Sequence, residues 1–224
     1  MEDGSFARTS KEKAEALNAF FASVFTMEDM SDIPELDDRS GGNCIETVEF
    51  VAEDIKQRLE KLNPNKSPGP DCILSKVLNE AAEQLCKPLK SLFEASFING
   101  VLPDPWKTGH ISAIFKKGDR HLAANYRPVS LTSVVCKLME SIVKDALMNH
   151  FEQHGLSKHQ HGFVSGRSCV SQLLSVINHW TEMLDKQKPV DVVYLDFAKA
   201  FDSVPHERLL RKLSAYDIRG HLLY

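Results

Sequence analysis

No stretch of this 224-residue chain approaches the roughly 18 uninterrupted apolar residues that a membrane span needs, which excludes an ordinary membrane-spanning helix. The amino terminus, Met1 to Ser10, is polar and acidic and lacks the apolar stretch of a secretory signal, so an intracellular protein is expected. Cys44, Cys72, Cys86, Cys136 and Cys169 include no CxxC pair. An odd, widely spaced set argues against both a disulfide framework and a zinc module, and the five read as reduced, mostly buried thiols. There is no internal repeat and no excess of glycine or proline, with 11 and 10 respectively. At 42% apolar and 26% charged residues, the composition fits a globular chain of one large domain or two small ones, not a collagen-like or disordered one.

What is present is unevenly distributed. Through Ile55 there are 14 acidic residues against 4 basic ones, a balance of −10; from Lys56 onward there are 17 against 23, a balance of +6. A basic body behind an acidic leader allows contact with a polyanion, since lysines and arginines that neutralise phosphates release condensed counterions. The same charges also suit a plain solvated surface.

Periodicity orders the rest. Thr9 followed by Glu12 resembles a capping box, and Leu17, Phe20, Phe21, Val24 and Phe25 recur at helical spacing. From Thr26 to Gly42 the chain is acidic and aperiodic, an expected linker with a domain boundary nearby. Val51, Ile55, Leu59 and Leu62 mark a helix that must stop before Pro64. Two helical stretches follow, Leu74 to Leu85 and Leu89 to Phe97, with Pro88 expected in the first turn of the second and Asn99-Gly100 as its end. His110 to Phe115 reads as a strand leading into the turn Lys116-Lys117-Gly118-Asp119. Ser133 to Phe151 and Ser168 to Leu184 read as helices, Val190 to Phe197 as a strand, and the residues around Leu209, Leu210 and Leu213 as a helix with Pro205 in its first turn. The order is mixed α and β with helix in excess, an α+β arrangement.

The segment VDVVYLDFAKAFDSV, Val190 to Val204, is the most informative about chemistry. An apolar strand ending in Asp196 puts a carboxylate at a sheet rim, where α/β proteins commonly bind ligands and metals. Hard cations such as Mg²⁺ take oxygen ligands, although an aspartate after a strand equally suits a turn or a cap. Asp202 is a poor second ligand, because six extended residues span roughly 20 Å. It is expected to cap the following helix or to make structural contacts.

This string resembles the first catalytic motif of reverse transcriptases in the form found in non-LTR (LINE-type, jockey-like) retrotransposons. Three further stretches agree in order: NKSPGPD at Asn65 to Asp71, Trp106 with IFKKGD and NYRPVSL up to Leu131, and QHGFVSGRS at Gln160 to Ser168; NAFFASVF is also similar to the helix that precedes these domains. The likeness runs from Glu49 to Tyr224 and implies an RNA-directed DNA polymerase with helix-rich fingers and the start of a palm. On that division, residues 1–48 form an amino-terminal helix and acidic linker, 49–189 the fingers and start of the palm, and 190–224 the first catalytic palm strand and following helix. The resemblance implies that Asp196 and the main-chain carbonyl of Phe197 bind catalytic Mg²⁺ and that Phe201 crowds the 2′ position of the incoming nucleotide. It assigns Lys116, Lys117 and Arg127 to the triphosphate, for which their charge and forked donors are suited. Lys66, Gln160, Gly162, Phe163 and Arg167 would lie on the template or nucleotide side. Partners would be an RNA template, a DNA primer and deoxyribonucleoside triphosphates, with no membrane, and action in the nucleus.

The family continues to a QG block and a hairpin bearing (F/Y)ADD, and neither follows Asp196 here. The sequence therefore leads one to expect a domain truncated after its first catalytic motif, with an incomplete palm sheet and no polymerase activity alone, since two-metal phosphoryl transfer needs more than one carboxylate. The competing reading is a non-catalytic nucleic-acid-binding or scaffold remnant. A group II intron maturase shares the fold, but NKSPGPD and NYRPVSL fit the retrotransposon branch better.

Overall fold

The computed structural model describes residues 7–31, 33, 42–154 and 156–223. Most of the acidic stretch read as a linker, residues 32 and 34–41, lies outside the described residues. Seven α-helices, three short 3-10 turns and one two-stranded sheet make up the regular structure of the described part.

Helices α2 (Ala52–Glu60), α3 (Ser75–Glu80), α4 (Ala82–Asn99) and α5 (Val134–His154) enclose the core. Ile55 and Leu59 on α2, Leu78 on α3, Ala82, Cys86, Leu89 and Phe93 on α4, and Val135, Leu138 and Met139 on α5 are all buried. Burying each of the larger side chains contributes about 1.5–3 kcal/mol. Phe93 sits at the centre, its ring 5.7 Å from that of Phe50 and 6.0 Å from that of Trp106. Polar contacts set the helix ends. Asn79 Nδ2 donates to the carbonyls of Leu59 (3.1 Å) and Glu60 (2.6 Å), closing α2 from α3. Arg58 on α2 reaches Asp54 (2.8 Å) on its own helix, then Asp145 (2.9 Å) and Ser141 (3.0 Å) on α5.

The first break in the α3–α4 region falls at Ala81, not at Pro88 as expected. Pro88 lies inside α4 as its seventh residue, where it removes an N–H that would bond the carbonyl of Gln84. The α4 stripe continues into the core on both sides of it, through Ala82, Cys86, Leu89 and Phe93, and this packing carries the helix across the proline. Gly100 ends α4 in the left-handed region at φ 62°.

Strands β1 (His110–Phe115) and β2 (Tyr126–Leu131) pair antiparallel, from His110 opposite Leu131 to Phe115 opposite Tyr126. The expected strand at 190–197 does not form: these residues have no ladder partner among the described residues, and Val193, Tyr194, Leu195 and Phe197 are exposed. Strand structure needs neighbours, and a run with apolar side chains on both faces needs cover on both.

Helix α6 (Cys169–Asp185) begins at a reciprocal Ser168–Ser171 cap, but its apolar stripe is solvent-exposed. Helix α7 (His206–Ala215) follows Pro205, which is its N-cap, one position before the expected first turn. The chain after α7 returns to the residues before α2. Ile45 bridges Ile218, and His150 Nε2 lies 2.6 Å from the Tyr216 carbonyl oxygen. Helix α1 (Ser10–Ala22) has the expected Thr9–Glu12 capping box and packs its half-buried stripe near the short turn Ala123–Asn125. Of the five cysteines only Cys86 and Cys136 are buried, correcting the expectation of mostly buried thiols. No helix among the described residues is long and apolar enough to cross a membrane.

Candidate functional site

The hairpin end is built to hold its basic residues still. Lys116 N donates to the Asn125 carbonyl (2.8 Å), one step beyond the last strand pair, so Lys116 and Arg127 meet at the same end of the ladder. Because Ile114 faces Arg127 across the ladder and strand side chains alternate, Arg127, Ile114 and Lys116 share one face. Asn125 Nδ2 bonds the Asp119 carbonyl (2.7 Å) and the Tyr126 hydroxyl bonds that of Arg120 (2.9 Å), pinning the turn from β2. Gly118 sits at φ +86°, and a Cβ there would lie 2.8 Å from Asn125 Nδ2. Lys116, Lys117 and Arg127 are exposed on this rigid end, and none forms an ion pair with a described residue.

Lys66 is exposed on the loop between α2 and α3. The loop is fixed from below at Gly69, where a Cβ would come within 2.6 Å of the backbone of Thr132 and Ser133. Gly69 is thus required for close backbone approach, beyond turn formation.

In the loop before α6, Arg167 has a structural task. Its Nη1 donates to the carbonyls of Ser157 (2.9 Å), Lys158 (3.2 Å) and Gln160, gathering the chain around one guanidinium. Gln160 Nε2 donates to the Gly162 carbonyl (2.9 Å), and His161 Nδ1 lies 3.0 Å from Ser171 Oγ. Phe163, at φ 60° and 88% exposed, meets the ring of Phe201 edge-on at 5.9 Å. This contact joins the QHGFVSGRS block to the Asp196 segment.

Asp196 is exposed, as are Phe197 and Phe201. The turn after it is closed by Ser203, whose N and Oγ both donate to the Lys199 carbonyl (3.1 and 3.0 Å). The Asp196 carboxylate and Phe197 carbonyl are hard oxygen donors of the kind Mg²⁺ accepts. They do not amount to a metal centre, because no group of three metal-ligating side chains occurs among the described residues. Lys66, the hairpin end and Asp196 lie on separate segments of the chain.

Of the two roles expected for Asp202, capping α7 or making structural contacts, the first belongs to Glu28. Its Oε2 and Oε1 accept from the backbone N–H groups of Glu207 (3.0 Å) and Arg208 (3.1 Å). No local pattern marks Glu28, which lies in the acidic, aperiodic stretch.

Residues 114–224 match the family Reverse transcriptase (RNA-dependent DNA polymerase), a span that holds the hairpin end, the Arg167 loop and the Asp196 segment. The chain is 27% identical over 219 residues to a probable RNA-directed DNA polymerase from transposon X-element of Drosophila melanogaster, covering 94% of this chain and 24% of that protein. It is 28% identical to the RNA-directed DNA polymerase from mobile element jockey of Drosophila funebris, covering 93% and 24%. To a probable RNA-directed DNA polymerase from transposon BS of Drosophila melanogaster it is 30% identical, covering 72% and 18%. The chain thus spans about a quarter or less of the length of these curated relatives. Residues 114–224 thus match the reverse transcriptase family, and the ordered motifs and these relatives together are consistent with a reverse transcriptase domain of the non-LTR retrotransposon type.

Proposed function

We propose that this chain supplies the nucleotide-gripping part of an RNA-templated DNA polymerase. The observation that carries the reading is the hairpin end, where Lys116, Lys117 and Arg127 stand exposed beside a turn pinned by Asn125 and Tyr126. Three cations on a rigid end suit a triphosphate, with Arg127 offering a two-pronged grip and the lysines point charges. Phe201, braced by Phe163, would stand against the sugar edge and admit a nucleotide that lacks the 2′ hydroxyl. Lys66, Gln160, Gly162 and Phe163 would face template or nucleotide, while Arg167 would serve the same surface by holding its loop. An RNA template and a DNA primer are the partners this reading requires, and the basic excess beyond Ile55 favours such polyanions.

A bound Mg²⁺ would neutralise phosphate charge, with Asp196 and the Phe197 carbonyl contributing two of its oxygen ligands. Further ligands are needed, and the described residues do not gather them. Primer extension by the purified 224-residue chain alone is therefore expected to be undetectable.

The test is nucleotide and template binding by the intact chain. Arg127→Ala is expected to weaken dATP binding about tenfold or more, the loss of a charge-assisted contact. Binding to an RNA–DNA template-primer should fall steeply with salt. Nucleotide binding that is indifferent to Arg127→Ala and to Lys116→Ala would overturn the reading.

A further inference from the structure

We propose that Glu28 is a positioning residue: with Thr26 and Phe20 it clamps the loop that carries Asp196 and Phe201 and holds it in register with the hairpin end. The loop has few contacts of its own. Residues 192–197 lack a ladder among the described residues, its internal bonds run from Ser203 to the Lys199 carbonyl and from Val204 N to the Phe201 carbonyl (3.4 Å), and Phe163 meets it at a single ring. Its far end runs into α7, whose N-cap, Pro205, has no side-chain oxygen for the first-turn amides.

The segment after α1 supplies what the loop lacks. The Glu28 carboxylate accepts from Glu207 N and Arg208 N, lies 3.6 Å from Arg208 Nε, and is only 12% exposed. An anion is favoured there by the helix dipole as well as by the two hydrogen bonds. Thr26 Oγ1 donates to the Ser203 carbonyl (2.9 Å), and the Lys199 ammonium stands 5.2 Å above the Phe20 ring. These contacts fall on both sides of Phe201. The same helix α1 packs near the turn Ala123–Asn125, which closes the hairpin carrying Lys116 and Arg127. One amino-terminal element therefore touches both halves of the candidate site, and moving it moves the sugar-facing ring relative to the triphosphate-facing cations.

This inference rests on the roles proposed above for Phe201 and Arg127, so its test separates the two. Hydrogen exchange on the full chain reads the clamp without any ligand. Glu28→Ala should speed exchange of the Glu207 and Arg208 amides about tenfold, the loss of a helix cap, with α2 and α4 unchanged. In fluorophenylalanine-labelled protein the Phe201 resonance, identified by its loss in Phe201→Leu, should shift or broaden. Glu28→Gln keeps an acceptor and should restore much of both signals. Thr26→Val, which removes only the bond to Ser203, should move them in the same direction by less, and it stands in if Glu28→Ala fails to fold. Unchanged exchange and an unchanged Phe201 line would overturn the proposal, as would exchange that rises equally through α2 and α4. Binding of dATP is measured in parallel. If the unaltered chain binds none, the nucleotide reading fails while the exchange data still decide the clamp.

Discussion

Gly69 shows how much a single missing Cβ can fix. The backbone of Thr132 and Ser133 lies where that atom would be, at 2.6 Å, and neither neighbour is a side chain that can swing away. Gly69→Ala should therefore destabilise the chain by about 1–3 kcal/mol, the usual cost of overpacking, seen as a lower urea midpoint. Ser133 also immediately precedes α5, its Oγ accepting from Cys136 N (3.3 Å), so the strain would enter that helix directly. Cys136 has its own signature. Burial, with Glu140 nearby, pushes its thiol up to about 12 from an ordinary value of 9.0. Between those two values the unfolded chain has released the proton and the folded chain has kept it, so the unfolded state binds fewer protons and this group's contribution to stability falls as pH rises. The stability difference between the unaltered chain and Cys136→Ala should shrink from pH 8 to pH 10. A thiol reagent at pH 8 should label exposed Cys44, Cys72 and Cys169 while sparing Cys136 until the chain unfolds.

Among the elements, α4 is the one that defeats a reading from residue types alone. Pro88 argues for a helix start, yet the apolar spacing through Ala82, Cys86, Leu89 and Phe93 runs straight past it, and packing outweighs the lost bond. Since Pro88 is exposed, Pro88→Ala leaves no cavity and returns an N–H to the Gln84 carbonyl. Stability should rise by about 1–2 kcal/mol, less than the ~3 kcal/mol helix penalty because proline also restrains the unfolded chain. A urea titration with an unchanged or lower midpoint would contradict this. Elements whose signal is local were legible from sequence: the Thr9–Glu12 box, the stop before Pro64, β1, α5 and α6 all fall where spacing and caps put them. What depends on distant partners was not. Asp202 looks like the cap of α7 because it is near in sequence, but Glu28 provides that cap from about 180 residues away. Likewise the 190–197 segment has strand composition without a strand, because composition cannot supply a neighbour.

On the scale of the whole molecule, the main core gathers α2 through α5 with Phe50 and Trp106, and much of the chain after α5 leaves apolar surface in water, although Ile218 and Leu223 are buried. Val170, Leu173, Leu174, Ile177 and Leu184 on α6 are each more than half exposed, and residues 193–195 and 197 add a second apolar group. The candidate site divides the same way. Motif identity, from Lys116 to Phe201, could be read from sequence, whereas the Phe163–Phe201 contact and the Arg167 staple depend on where loops fold back. Each large apolar side chain left in water forgoes about 1.5–3 kcal/mol, so a surface of this kind favours association. The purified chain should bind a hydrophobic dye while folded, and its sedimentation coefficient should rise with concentration. Replacing two stripe residues, Leu173→Glu with Ile177→Lys, should lower both effects. It should leave helicity and unfolding midpoint near those of the unaltered chain, because neither side chain is buried and the new charges are spaced four residues apart on α6 in the favourable order. A chain that stays monomeric at every concentration, binds no dye and loses stability on this double change would mean that the α6 stripe is covered.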